Sequence, residues 1–208
     1  MGLHILSSCS RIYINEISKS YGFDKENKKS VLIVGINGLS LNEFVKTYHK
    51  KYKEDQEFIM EYSDLFTNKL LNENLFASVR YDKSPRWNLI KSFVVSPQQS
   101  KIIDSLFNSC NSDYLISLSD FDISNRVSNS SYMSGGGSGM MMSSSNEYCV
   151  IKARVQIFDT KNRQKLSEFI TTGEGSVFFF AFEAALTEAI NNSVYHGVQY
   201  LKTGKTKF

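Results

Sequence analysis

The chain has 208 residues, 41% hydrophobic and 22% charged, which suits one domain with appendages and is enough to build a core. Its net charge of +3, from 24 basic and 21 acidic residues, is too balanced for a nucleic-acid surface, so no nucleic-acid partner is expected. No apolar run approaches the ~18 residues of a membrane-spanning helix.

The N-terminus carries an address. Leu6-Ser7-Ser8-Cys9 fits a bacterial lipobox, in which small side chains admit the signal peptidase and the cysteine thiol receives the lipid. A full leader also has a basic n-region and an apolar stretch of roughly 7–15 residues. The residues before Cys9 include no Lys or Arg, which leaves a truncated leader or a chance match. N-myristoylation is disfavoured, because Leu6 stands where that signal needs Ser or Thr. With Cys9 lipidated, residues 1–29 read as a truncated signal and a polar tether. Of the other two cysteines, Cys110 and Cys149 could pair in an oxidising compartment or stay as separate buried thiols.

The body is expected over residues 30–202, with a tail at 203–208. Residues 29–37, KSVLIVGIN, read as a buried strand. Residues 41–53 are weakly amphipathic. Their basic run, His49 to Lys53 with Lys46 upstream, is followed at once by Glu54, Asp55 and Glu57, and reads as a solvated helix face. A firmer helix follows over 54–74, with Asp55 as N-cap, Phe58, Tyr62, Leu65, Phe66 and Leu70 on one side, and Asn74 as a left-handed stop. Residues 76–81, FASVRY, alternate as a second strand. Residues 87–95, between Pro85 and Pro97, read as an edge strand or extended loop. Ser96, Pro97 and Gln99 then form a helix start with a capping box, and Ile102, Ile103, Leu106 and Phe107 form its apolar face. A strand over 113–123 follows.

The stretch 132–146, YMSGGGSGMMMSSSN, joins that strand to 147–158, where Cys149, Ile151, Ala153, Val155 and Ile157 alternate with polar residues. Because its flanks should share one sheet, residues 125–146 are expected to form a flexible hairpin loop rather than a domain linker. Met133, Met140, Met141 and Met142 offer an adaptable contact surface. They are poor candidates for copper, since no His or Cys sits among them, and the stretch lacks the alternation of a membrane-inserting hairpin. A turn over 159–164 with Asn162 at positive φ, a strand over 166–172 and a long final helix complete the chain. The order is β-α-β-(β)-α-β-β-β-α. It predicts an α/β (α+β) fold with a single mixed sheet of four to five strands packed by helices, the first strands parallel.

Several segments together resemble the bacterial lipoprotein group that includes the curli secretion protein CsgG, the penicillin-binding-protein activator LpoB and the TolB N-terminal domain. They are VLIVGIN, NENLFASVRY, the Ser112-Asp113-Tyr114 junction, and the strand and turn from Arg154 to Asn162, with Arg163 where the group has Gly. The resemblance covers residues 30–200. It implies a periplasm-facing, lipid-anchored protein of the cell envelope, at the outer membrane, that acts by binding another envelope protein. The extra 87–95 segment and the lack of recognisable membrane hairpins depart from the CsgG pattern.

Chemistry is sparse. His4, His49 and His196 lack metal-ligand spacing and read as surface or helix-face residues. Asp120 and Asp122 share a strand face and could hold a cation or one raised pKa, though a solvated strand end explains them as well. Residues 203–206, TGKT, mimic a P-loop, but Gln199 stands where its first Gly belongs. Phe178, Phe179 and Phe180 are expected to wedge between the last helix and the sheet, the sharper alternative being a partner or lipid contact. No catalytic residue, cofactor or metal is assigned. The role expected is a non-enzymatic partner-binding or assembly module moored at Cys9, the alternative a subunit of an oligomeric secretion channel, which makes homo-oligomers an open partner class.

Overall fold

Apolar residues stand at four successive positions of the segment VLIV, which forces that strand to be covered on both faces. Val31 and Ile33 face one core, Leu32 and Val34 the other. The computed structural model describes residues 11–19, 29–84, 86–87, 97–133 and 141–208. Its elements in chain order are β1 (Ile14–Lys19), β2 (Ser30–Gly35), β3 (Leu39–Leu41), α1 (Val45–Lys51), α2 (Asp55–Glu73), β4 (Ser78–Tyr81), α3 (Pro97–Ser109), β5 (Tyr114–Met133), β6 (Met141–Asp159), β7 (Gln164–Ser176) and α4 (Phe182–Thr203).

All seven strands join one mixed sheet, ordered β1-β7-β6-β5-β2-β4, with β3 also on β5. The expected α+β class holds, and the expected parallel pairing of the early strands holds for β2 with β4 and β5. The strand count is larger than expected for two reasons. Residues 39–41 continue along β5 past Gly38, whose φ of 155° turns the chain there. Residues 14–19, read as tether, pair antiparallel with β7, and Ile14 is buried. The tail is docked as well: Tyr13 and Ile14 donate backbone N–H groups to the Thr206 carbonyl at 3.1 and 3.3 Å. The expected segment 87–95 lies outside the described residues apart from Trp87, which is buried with Leu32, Val34 and Leu115 and donates its indole N–H to Asp82 at 2.9 Å.

The core has two layers. One face of the sheet carries α2 and α4 over Ile33, Ile116, Leu118, Ile151 and Val155, the other α3 over Leu32, Leu115 and Phe158. The helix starts differ in detail from the reading. Pro97 is the first residue of α3 as expected, while Glu54 rather than Asp55 is the N-cap of α2. Asp55 accepts the Tyr48 hydroxyl at 3.1 Å instead. Asn74 ends α2 at φ 51° as expected. In the β6–β7 turn the positive φ falls on Arg163 (55°), not Asn162. The Arg163 guanidinium is held there by Asp104 at 2.6 Å and Asn108 at 2.7 Å, both on α3.

Two registers position the candidate site. β5 and β6 pair without interruption from the bulge at Asp120 (φ 47°) out to Met133 opposite Met141. The flexible loop expected over 125–146 is therefore corrected. Hairpin pairing carries strand through 125–133 and 141–146, and what remains of the loop, 134–140, lies outside the described residues. β7 meanwhile stops at Ser176, opposite Tyr148.

Helix α4 lies directly on β7 because Gly173 and Gly175 have no side chains. A Cβ on Gly173 would stand 2.1 Å from the Ala189 carbonyl oxygen, and one on Gly175 would stand 2.0 Å from that of Ala185. No rotamer relieves a clash with backbone. Gly175→Ala is expected to lower the unfolding free energy by about 3 kcal/mol, measured by urea denaturation. An unchanged midpoint would contradict the close approach.

Candidate interaction surface

The surface forms where β7 ends and α4 begins. The last ladder bond runs from the Val177 N–H to the Glu147 carbonyl at 2.9 Å, and Ala181 N–H closes a turn on the Phe178 carbonyl at 2.9 Å. Phe178, Phe179 and Phe180 make up this turn and are 70%, 83% and 85% exposed. The expected wedge is corrected. With Gly173 and Gly175 bringing α4 onto the sheet, no gap remains to admit a ring, so the three rings turn outward. Phe179 and Phe180 take left-handed φ of 46° and 62°, and nearby Phe44 takes 60°. For bulky residues this conformation costs about 1–2 kcal/mol each, and strain of this kind gathers at functional surfaces.

Phe182 is the hinge of the patch. It packs edge-on against Phe44 at 5.7 Å between ring centres and is 6.4 Å from Phe180. Beside it a shallow depression of about 400 Å³ is lined by Phe44, Val45, Lys46 and Glu147 among others. A second, of about 560 Å³, brings Lys46 and Lys50 against Phe180 and Phe182. Lys50 is paired with Glu183 at 2.5 Å. The sequence reading missed Phe44 and the part played by α1, because the basic run masks an aromatic that reaches across to Phe182.

The β5–β6 ribbon leaves the body at the same end. β3 accompanies β5 only to Ile123, and β7 accompanies β6 only to Tyr148. Among the described residues, no strand pairs with either edge from Val127 to Met133 or from Met141 to Asn146. At about 3.4 Å per residue the ribbon extends roughly 20 Å past the body. No charged residue occurs from Val127 to Asn146. Its base is clamped: Glu174 accepts two bonds from Arg126 at 2.9 Å and one from Arg11 at 2.6 Å, and the Arg126 guanidinium lies 4.2 Å from the Tyr148 ring centre.

The other expected site residues are dispersed. Cys9, His4 and Met140 lie outside the described residues. Met133, Met141 and Met142 occupy the outer ribbon. Cys110 belongs to the core under α3 and Cys149 to the core under α4, on opposite faces of the sheet, so the pairing considered for them is not made. Burial, with Glu147 adding to it, pushes the Cys149 thiol up to about 12, which keeps it protonated and unreactive. Asp120 and Asp122 are divided by the bulge and take different cations: Arg154 stands 2.6 Å from Asp120, and Lys152 3.8 Å from Asp122. Asp122 also accepts Asn42 at 2.8 Å. The TGKT segment caps α4, with Gly204 at φ 71°.

No family model and no curated protein matches this chain. Among solved structures it is similar to a PelC dodecamer from Paraburkholderia phytofirmans, with a TM-score of 0.43 and 12% identity over 87% of this chain and 93% of that one. A chain described as a neuraminyllactose-binding hemagglutinin homolog from Helicobacter pylori gives 0.45 and 9% over 90% and 91%.

His196, read as a surface or helix-face residue, lies on α4 and is buried between two rings, with Tyr13 at 4.2 Å and Phe208 at 5.0 Å, and its Nδ1 lies 2.7 Å from the Thr172 carbonyl. It clasps the N-terminal segment and the tail onto α4. Burial holds its imidazole below the ordinary value of 6.5, against the opposing pull of the Thr172 carbonyl and Glu174. The unfolded chain therefore takes up the proton more readily, and this stabilisation is present above about pH 6.5 and lost as pH falls through the lower folded value. The melting temperature should fall between pH 7.5 and 5.5, and His196→Gln should flatten that dependence. Parallel pH curves for the two proteins would show that His196 does not titrate in the clasp.

Proposed function

We propose that this chain is a non-enzymatic, lipid-anchored protein of the bacterial cell envelope, facing the periplasm at the outer membrane, that binds another envelope component. The observation that carries the reading is the β5–β6 ribbon. Among the described residues no strand pairs with the backbone edges from Val127 to Met133 and from Met141 to Asn146, and those stretches carry none of the charges, prolines or bulges by which exposed edges are normally blunted. Such an edge recruits a partner strand by backbone hydrogen bonding. The lipobox at Leu6 to Cys9 and the resemblance to the CsgG, LpoB and TolB group support the address. An anchor there raises the effective concentration of the ribbon near other envelope proteins, and the several acyl chains of a bacterial lipoprotein make the anchoring stable.

The ribbon also favours a second reading. Because its two edges belong to different strands, copies of the chain could pair edge to edge in a heterologous ring, as an oligomeric channel subunit requires.

Two measurements decide between these. In its host, the full-length gene product should incorporate palmitate at Cys9, and Cys9→Ser should abolish the label and release the protein from the membrane. Recovery of the native protein in the cytosol with unmodified Cys9 would remove the address. Native mass measurement of detergent-extracted protein should show a monomer or a small complex under the first reading, and a single large closed assembly under the second.

A further inference from the structure

The polarity of β1 says which end of the molecule an anchor at Cys9 would hold. β1 runs antiparallel to β7, with Lys19 opposite Ser167 and Ile14 opposite Thr171. Followed toward its N-terminus, it therefore leads in the direction in which β7 runs out to Phe178. The course is maintained beyond the strand, since Thr172 donates its N–H to the Tyr13 carbonyl at 2.8 Å and Arg11 reaches Glu174 at 2.6 Å. Cys9 is only two residues before Arg11 in the sequence. Phe178 is four residues after Glu174, within about 14 Å of it by the reach of an extended chain. A tether of some twenty residues would have left the orientation open. The docked strand leaves almost no slack.

We infer that the Phe178–Phe180 turn is the face on which the protein rests against a lipid bilayer, seated in the interface by an acyl group on Cys9. The inference rests on the lipid anchoring proposed above and assigns the aromatic turn to the membrane rather than to the protein partner. Three consecutive exposed phenylalanines on a turn that is strained yet braced by Phe182 and Phe44 form an apolar projection suited to the headgroup boundary. Lys46 and Lys50 flank it from α1, in reach of lipid phosphates, although Glu43, Glu147 and Glu183 stand nearby and moderate the charge. The ribbon leaves at the same end, and its described outer residues, Val127 to Met133 and Met141 to Asn146, carry no charge that would keep them from the headgroup layer. Its open edges prevent it from crossing hydrocarbon as a lone hairpin. The anchor makes the contact intramolecular, so even a weak aromatic contact suffices.

The test uses the full chain with Cys9 joined to a maleimide phospholipid in vesicles of phosphatidylethanolamine and phosphatidylglycerol, Cys110 and Cys149 being buried. Phe179→Trp supplies a reporter at an exposed position, and buried Trp87 supplies the constant background. Lys161→Trp, in the exposed β6–β7 turn at the far end of the sheet, is the control. The expected result is a blue shift and quenching by brominated lipid for the Phe179 reporter, with none for the Lys161 reporter. Emission from the Phe179 reporter that stays solvent-like on the vesicle overturns the inference. So does an equal response at both positions, or a concentration-dependent blue shift without lipid, which would mean that a second copy covers the turn. Because the lipid is attached chemically, this outcome is independent of palmitate labelling in the cell: a seated turn on a protein that the host leaves unmodified would sink the address alone.

Discussion

The structure depends on how closely α4 approaches β7. Two glycines, Gly173 and Gly175, let the helix backbone sit on the strand, and around that contact Ala185, Ala189 and Ser193 present small groups to the sheet. The hydroxyls of Thr171 and Tyr62 then find Ser193 at 2.7 and 2.8 Å, which satisfies polar atoms that the close approach buries and links α2 to α4. With α4 fixed so low, the chain between Ser176 and Phe182 cannot tuck its rings beneath the helix. The aromatic turn is in this sense a by-product of helix docking that the surface puts to use.

Much of the core was legible in the sequence because it follows simple periods. The alternation from Cys149 to Ile157 is the inner face of β6, and the Ser-Pro start of α3 was readable from the need to cap a helix. What escaped was strand formation without apolar alternation. β1 buries mainly Ile14 while Asn15, Glu16 and Ile17 stay exposed, so an edge strand looks like a tether. The outer ribbon is a stronger case. Glycine, serine and methionine describe a loop by composition, but its pairing is imposed by the anchored half of the same hairpin and owes little to the outer side chains.

The candidate surface was half legible. Phe178, Phe179 and Phe180 were recognisable as an excess of aromatics for one helix face, but whether they point in or out depends on Gly173 and Gly175, whose packing role shows only when α4 is in place. Nor could the sequence bring Arg11, Arg126 and Glu174 together, since Arg126 and Glu174 are separated by 48 positions and Arg11 and Glu174 by 163. That cluster is what gives the N-terminal segment a direction.

The bulge at Asp120 has an effect far from its own position. In the outer ribbon Ser130 faces Ser144 and Ser131 faces Ser143, a serine-on-serine stretch that does little to specify its own register. Among its described residues no ion pair or bulge fixes the alignment from Val127 to Met133. The indexing is done from below, where Arg154 joins Asp120 across the bulge and Glu168 on the next strand. Where Met133 meets Met141 is thus gauged by an ion cluster at the other end of the hairpin, much as the hem of a garment is set at the waist.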